Sequence, residues 1–368
     1  MLDLLSLTLS ELETWLGEQG EPRFRARQLY EWLHRRLESD FQRMTTLPER
    51  LRAALAAQAT AGSLTLRREQ VAKDGRTRKV LLELNDGRLI ESVLMLFPAS
   101  SEGRARATAC ISTQVGCALG CTFCATGQMG FERHLTAGEI VEQVLYIARE
   151  LRERPWATPD GQVVDRLTNL VLMGMGEPLH NYDATLRALR ILNSPEGFGL
   201  GARHMTVSTV GLVPGILRLS EEPLQINLAI SLHAPNDALR GRTMPVTRKY
   251  GMQELLEACR TYVQRTNRQV TFEYVLLAGV NDAPEHAREL GAKLVSFKQL
   301  AHVNLIPVNA TSAAYRPPGS EAIKAFREEL RRAGVSNSVR AERGDDIAAA
   351  CGQLKTKERA RAKELAPS

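Results

Sequence analysis

The sequence predicts an α/β protein: an incomplete (β/α)6 barrel, preceded by a helical accessory segment and a small β extension. Three observations carry this. Between residues 104 and 343, apolar runs of strand length alternate with stretches of helical period, the pattern of repeated βα units. Within that region Thr168-Asn-Leu-Val-Leu-Met is apolar without alternation, as parallel strands buried on both faces are. Ahead of it the period is helical to about Ala59 and strand-like from Ser63. The expected division is therefore 1–60 for the helical domain, 61–103 for a β meander and linker, 104–343 for the barrel core and 344–368 for a tail.

Each element has a local reason. Thr8 with Glu11 forms a capping box, the hydroxyl and the carboxylate each satisfying a free amide of the first turn. After the turn at Gly17–Pro22, Phe24, Leu29, Trp32 and Leu33 form an apolar stripe, and Leu47-Pro48 opens a third helix. Ser63–Gln70, Thr77–Leu84 and Leu89–Leu96 read as three strands joined at Asp74-Gly75 and Asn85-Asp86-Gly87. In the barrel region the strands are Ala109–Gln114, Thr168–Met173, His204–Thr209, Gln225–Leu232, Val270–Leu277 and His302–Pro307, with Ser336–Ala341 closing. Helices are expected over Thr136–Leu151, Tyr182–Asn193, Val213–Ser220, Gly251–Thr266, Pro284–Phe297 and Glu321–Ala333, and Arg152–Arg166 reads as a loop.

Composition bounds the function. A 43% hydrophobic content is that of a folded globular chain, and a net charge of +6 is compatible with a polyanionic partner. The first residues lack the charged and apolar regions of a signal peptide, and no run is long enough to cross a membrane. Six cysteines in such a chain argue for metal or redox use in a reducing, cytoplasmic compartment. Arg23, Arg25, Arg27, Arg35 and Arg36, interleaved with Phe24, Tyr30 and Trp32, suit RNA, because guanidinium forks match phosphates and aromatic rings stack on bases. A solvated basic face is the alternative, and the same choice applies to the run Arg240, Arg242, Arg248 and Lys249 as phosphate contacts.

The chemistry centres on Cys117-Ala-Leu-Gly-Cys121-Thr-Phe-Cys124. Three soft thiolates at C-x3-C-x2-C spacing ask for iron–sulfur or zinc. A zinc loop completed by His134 or a distant cysteine is the alternative, and with it a non-catalytic zinc-binding RNA module. The loop resembles that of the radical S-adenosylmethionine (SAM) enzymes, in which three cysteines hold a [4Fe–4S] cubane whose fourth iron binds SAM. In a barrel, functional groups gather at the carboxyl ends of the strands. Gly174-Met-Gly176-Glu177-Pro178, Ser208-Thr209-Val-Gly211, Ser231-Leu232-His233 and Leu305-Ile-Pro-Val-Asn309 all fall at such ends. Gly176, Glu177, Ser208, Ser231, Leu232, His233 and Asn309 are thus candidate SAM contacts, although a strand-to-loop turn or a helix cap would use the same residues.

Three residues remain. Glu91, on a half-exposed strand, reads by itself as a solvated acid. Cys259, at helical spacing with Leu255, Leu256 and Val263, reads as core. Cys110 and Cys351 stay open on residue type alone.

From about Glu91 to Leu354 the chain resembles the RlmN-type dual-specificity RNA methyltransferases, close relatives of the Cfr-type resistance enzymes. The residues that carry this are Cys110-Ile-Ser-Thr-Gln-Val-Gly-Cys117, the cysteine loop, Met173-Gly-Met-Gly-Glu-Pro, Ile230-Ser-Leu-His-Ala-Pro-Asn-Asp, Leu305-Ile-Pro-Val-Asn309, Arg343-Gly-Asp-Asp-Ile and Cys351-Gly-Gln-Leu. The resemblance implies methylation at C2 of an adenine in 23S rRNA, at the peptidyl-transferase centre, and of the adenine 3′ to the anticodon in some tRNAs. One SAM methylates Cys351 and a second, cleaved at the cluster held by Cys117, Cys121 and Cys124, yields a radical that activates that methyl group for attack on the base. Glu91 matches the proton acceptor. Cys110 matches the thiol that releases the RNA–protein crosslink and leaves a transient Cys110–Cys351 disulfide. A reduced ferredoxin or flavodoxin-type electron donor and a monomeric enzyme are expected, with C8 methylation as the alternative regiochemistry.

Overall fold

The computed structural model describes residues 1–99, 103–158, 160–308, 315–340 and 347. The chain divides into two compact units, each described separately.

The first unit comprises Met1–Val115, His134–Gly174 and Asn181–Met205. Helices α1 (Leu9–Glu18), α2 (Arg23–His34) and α3 (Glu49–Gln58) open it. The capping box at Thr8 is present, with Thr8 N–H donating to Glu11 at 2.8 Å. A mixed sheet follows: β1 (Thr65–Val71), β2 (Thr77–Glu83), β3 (Leu89–Phe97) and β4 (Arg106–Cys110) pair antiparallel in that order, and β5 (Asn169–Leu172) pairs parallel to β4. Helices α4 (Ala137–Glu153) and α5 (Tyr182–Asn193) complete the unit, α4 opening on a second capping box at Thr136 and Glu139. The N-terminal helices are bound to α4 and α5 by specific contacts. Tyr30 Oη donates to the Ile191 carbonyl at 3.4 Å, Arg149 to that of Leu37 at 3.0 Å, and Arg187 pairs with Glu11 at 2.8 Å.

Three local details depart from the sequence reading. The inward stripe of α2 is Ala26, Leu29, Tyr30, Leu33 and His34, whereas Phe24 is 52% exposed. His34 stacks on Tyr30 with ring centroids 4.3 Å apart, and neither imidazole nitrogen has a hydrogen-bond partner among the described residues. The strand expected over Ala109–Gln114 ends at Cys110, because the Ser112 amide leaves the ladder to donate to Gln143 Oε1 on α4 at 2.8 Å. Finally, the expected loop at Arg152–Arg166 contains a short antiparallel pair, Trp156–Ala157 with Val163–Val164.

The second unit comprises Gly116–Arg133, Met175–His180 and the chain from Thr206 onward. Its strands β6 (Met205–Thr209), β7 (Asn227–Ser231), β8 (Val270–Leu276), β9 (Ala301–Pro307) and β10 (Ser336–Val339) pair in sequence order, all parallel. The crossovers carry α6 (Val213–Leu219), α7 (Asp237–Thr243), α8 (Met252–Thr266), α9 (Pro284–Leu294) and α10 (Ser320–Arg332). Helix α7, not expected from the sequence, is nucleated by Asn236, whose side chain accepts from the Leu239 amide at 3.0 Å. Cys259 is fully buried in α8, in the core role read for it. Among the described residues no helix is long and apolar enough to cross a membrane.

Candidate active site

The cysteine loop folds around backbone that admits no side chain. At Gly116, φ is +73°, and a Cβ there would lie 1.9 Å from the Gly130 carbonyl oxygen. That close approach lets Cys117 N–H donate to the same oxygen at 2.9 Å, closing the loop. Cys124 N–H donates to the Cys121 carbonyl at 3.1 Å and starts a helical turn, Ala125–Gln128. Cys121 is buried, and Cys117 and Cys124 are half-buried. Burial pushes the Cys117 thiol up to about 11 and that of Cys121 to about 12, with each thiol also feeling Cys124. Thiols so held ionise when a cation compensates them.

The strand ends of the second unit surround this chemistry with polar groups. Glu177 is 2% exposed. One carboxylate oxygen accepts from Leu179 N–H at 3.0 Å and the other from Val210 N–H at 2.8 Å, yet burial still pushes its carboxyl up to about 7. Gly176, at φ +103°, makes the turn that turns Glu177 inward. After β6, Ser208 is half-buried, whereas the Thr209 hydroxyl accepts from Gly211 and Leu212 amides at 3.1 and 3.3 Å, the capping alternative. After β7, Ser231 is half-buried and Leu232 fully buried.

His233 is the most constrained of these residues. Its φ is +57°, an unusual left-handed position for a residue other than glycine. Asn281 Nδ2 donates to its carbonyl at 2.8 Å, and Val275 N–H donates to Nδ1 at 3.0 Å. Burial, helped by the Arg240 charge, lowers the imidazole to about 3. The ring is therefore neutral, with its proton on Nε2. It meets the Phe123 ring of the cysteine loop edge-on, centroids 4.9 Å apart.

Arg240 corrects the sequence reading. Rather than contacting phosphate, it is fully buried and donates to the carbonyls of Leu232 at 3.2 Å, Ser231 at 3.3 Å and Val210, and to Thr247 Oγ1 at 3.1 Å. It fastens the ends of β6 and β7 together and adds a positive charge felt by Cys121. Arg242, Arg248 and Lys249 stay exposed. The N-terminal arginines differ from Arg240: Arg23, Arg27, Arg35 and Arg36 are exposed, while pairing with Glu13 (Arg23 and Arg27), Glu31 (Arg36) and the Pro195 carbonyl (Arg35). Tyr30, buried at 1% exposure, has no face open to a base.

In the first unit Glu91 is not the solvated acid of the sequence reading. It is 3% exposed, with Oε1 3.9 Å from the Nζ of Lys79, itself fully buried. Cys110, across from Val93 on the neighbouring strand, packs with Val93 and Met95 under Phe97, Val171 and Met173. Ser112 Oγ donates to the Glu91 carbonyl at 2.7 Å. Sequence reasoning missed Lys79 and Asn281, and the burial of Arg240, because a charged or amide residue in a short polar stretch carries no sign of burial. Asn309 and Cys351 lie outside the described residues.

Comparison with known proteins supplies the family. Residues 111–291 match the model of the Radical SAM superfamily, and residues 2–61 that of the ribosomal RNA large subunit methyltransferase N-terminal domain. The probable dual-specificity RNA methyltransferase RlmN of Geobacillus kaustophilus is 47% identical over 358 residues, covering 97% of this chain and 93% of that protein. The chain belongs to the RlmN family. The corresponding RlmN protein of Chloroflexus aurantiacus is 49% identical over 359 residues, 95% of this chain and 92% of its own. A crystal structure of a radical SAM methyltransferase from Sphaerobacter thermophilus, 51% identical, superposes with a TM-score of 0.88 over 96% of this chain and 99% of that one. This RlmN-family chain is thus an RNA methyltransferase of the radical SAM superfamily, with that superfamily's α/β partial (β/α)6 barrel. The family carries a [4Fe–4S] cluster and SAM, which replaces the zinc-module alternative. The donor set fits: three soft thiols lie in one loop, close enough to perturb one another. Among the described residues no three His, Cys, Asp or Glu side chains converge on one ion.

Proposed function

We propose that this enzyme methylates C2 of an adenine, in 23S rRNA at the peptidyl-transferase centre and in a subset of tRNAs at the base 3′ to the anticodon. The observation that supports this reading is the sharing of one sheet face by Glu91 and Cys110, an acid and a thiol buried on adjacent strands. C2 of adenine is electron-poor and bears a hydrogen, so a carbon group added there must be followed by removal of a proton.

In this reading Cys117, Cys121 and Cys124 hold the [4Fe–4S] cluster, which supplies the electron for reductive cleavage of SAM, and Gly176, Glu177, Ser208, Ser231, Leu232, His233 and Asn309 line the SAM pocket. Cys351 takes a methyl group from one SAM, and a second SAM is consumed in joining that carbon to C2. Glu91 then takes the C2 proton, the electron pair of the C–H bond stays in the adenine ring, and the odd electron left by the radical addition returns to the electron-transfer partner that supplied the reducing electron. The Cys110 thiolate attacks the Cys351 sulfur. The sulfur–carbon bond breaks with its pair on carbon, which gains a proton to become the methyl product. The two sulfurs remain as a disulfide, which a reductant must open before the next turnover. Residues 1–60 serve RNA contact, supported by the exposed Phe24 ring with the Arg25 guanidinium 4.7 Å from its centroid. Residues 61–103 form the meander, 104–343 the catalytic core and 344–368 the tail that carries the methylated cysteine. A reduced ferredoxin or flavodoxin-type protein fits as electron donor to a monomeric, cytoplasmic enzyme.

The test is direct. Reconstituted protein is incubated with SAM, reductant and both RNAs, which are then digested for nucleoside mass spectrometry. The expected product is 2-methyladenosine from both, and 8-methyladenosine or unmodified adenosine overturns the proposal.

A further inference from the structure

Lys79 occupies an unusual position for a lysine. It sits on β2, fully buried, in the row where Lys79 pairs with Val93 on β3 and Val93 pairs with Cys110 on β4. Glu91 lies two residues along β3 from Val93, so alternation puts it on the same face. The Lys79 ammonium and the Glu91 carboxylate are 3.9 Å apart, both at 3% exposure or less. Removing two such charges from water is costly, and a buried ion pair often stabilises less than apolar residues of the same size. Packing alone therefore gives little reason for a lysine here. Val93, Met95 and Cys110 on the same face show that apolar side chains fit its surroundings.

A charge buried this deep needs an opposite charge close by. The ammonium supplied by the neighbouring strand lies at ion-pair distance from Oε1, so the carboxylate has an electrostatic anchor on that side. We infer that Lys79 is a positioning residue for the reaction: its buried ammonium, facing Glu91 from the neighbouring strand, holds that carboxylate in place to receive the adenine C2 proton. The inference rests on the proton-acceptor reading of Glu91 and adds to it the group that makes that role workable at this depth. In the step concerned, the C2–H bond breaks, its electron pair enters the ring and the proton goes to a Glu91 oxygen. Lys79 keeps all its protons and stabilises the carboxylate before transfer.

The experiment compares Lys79→Met, Lys79→Arg and Glu91→Gln in the full-length, cluster-loaded enzyme with three readouts. These are S-methylation of Cys351 by peptide mass spectrometry, covalent RNA–enzyme adduct by denaturing gel, and released methylated RNA. Lys79→Met is expected to methylate Cys351 as the parent does, accumulate adduct as Glu91→Gln does and release product about a hundredfold more slowly, the scale of a misplaced general base. Lys79→Arg, which keeps the charge, is expected to recover most of the release rate. Where Lys79→Met does not fold, Lys79→Gln carries the same expectations. Parent-like release from a folded neutral variant overturns the inference, as does loss of Cys351 methylation in step with release, which marks a purely structural role. Normal turnover by Glu91→Gln overturns the proton-acceptor reading and this inference with it. A stalled Glu91→Gln enzyme beside an unimpaired Lys79→Met enzyme overturns the inference alone.

Discussion

In the first unit Lys79, Glu91 and Cys110 project from one face of neighbouring strands, and the ion pair among them joins side chain to side chain. In the second unit Glu177, Thr209, His233 and Arg240 stand at strand ends, and the hydrogen bonds described for them run mostly to backbone amides and carbonyls. On the proposed reading, the difference separates chemistry from support. A group mounted on a sheet face can be changed while the ladder beneath it stays hydrogen-bonded. A group that satisfies the backbone at strand ends supports the pocket wall as well as any ligand, so changing it costs stability and function together.

Four variants test that distinction, from the largest expected effect downward. Cys121→Ser is expected to abolish activity and to lower bound iron and acid-labile sulfide, measured by metal analysis and absorption of the reconstituted protein; full iron loading would break the assignment of Cys121 as a ligand. Cys110→Ala should reduce RNA methylation to background while costing about 1 kcal/mol of stability, since it trims one small side chain from a sheet face. A large fall in melting temperature would erase the contrast between the units. Arg240→Met should show the opposite balance, costing about 3 kcal/mol or more because buried carbonyls lose a charged donor. Denaturant unfolding measures this, and an unchanged midpoint would deny Arg240 its fastening role.

The smallest effect belongs to His34. Burial lowers its imidazole from the ordinary 6.5 to about 3. Between those values the unfolded chain binds a proton that the folded chain does not, so its contribution is complete above the unfolded value and lost as pH falls towards 3. At pH 5 the loss is about 2 kcal/mol. His34→Leu should therefore lose less melting temperature than the parent between pH 7 and pH 5, and parallel losses in the two proteins would exclude His34 as the source.

Much of the architecture is legible in the sequence because it is set locally. The capping boxes at Thr8 and Thr136, the glycines of the cysteine loop and the apolar runs of β6–β9 each specify their own element. Helix α7 is hidden because seven residues are too few to show a period, and Asn236 alone announces it. The depth of Lys79 and Arg240 is hidden for another reason. Burial of a cation depends on which distant strands come to flank it, and residue type predicts the reverse. The same holds for α2, where Tyr30 rather than Phe24 turns inward because Gly197 leaves room against the Tyr30 ring: a Cβ on that glycine would come within 2.6 Å of it.

Gln143 has a consequence of its own. Its Oε1 accepts from Ser112 N–H at 2.8 Å and Ser92 Oγ at 2.9 Å, while its Nε2 donates to the carbonyls of Ser112 and Glu139, both at 3.0 Å. One side-chain amide thus imitates a missing neighbour strand, reading donor and acceptor at Ser112 as a complementary base reads its opposite. Glutamate has nearly the same shape but would set a second acceptor against two carbonyl oxygens, so the site selects for an amide by the polarity of its hydrogen bonds and not by volume.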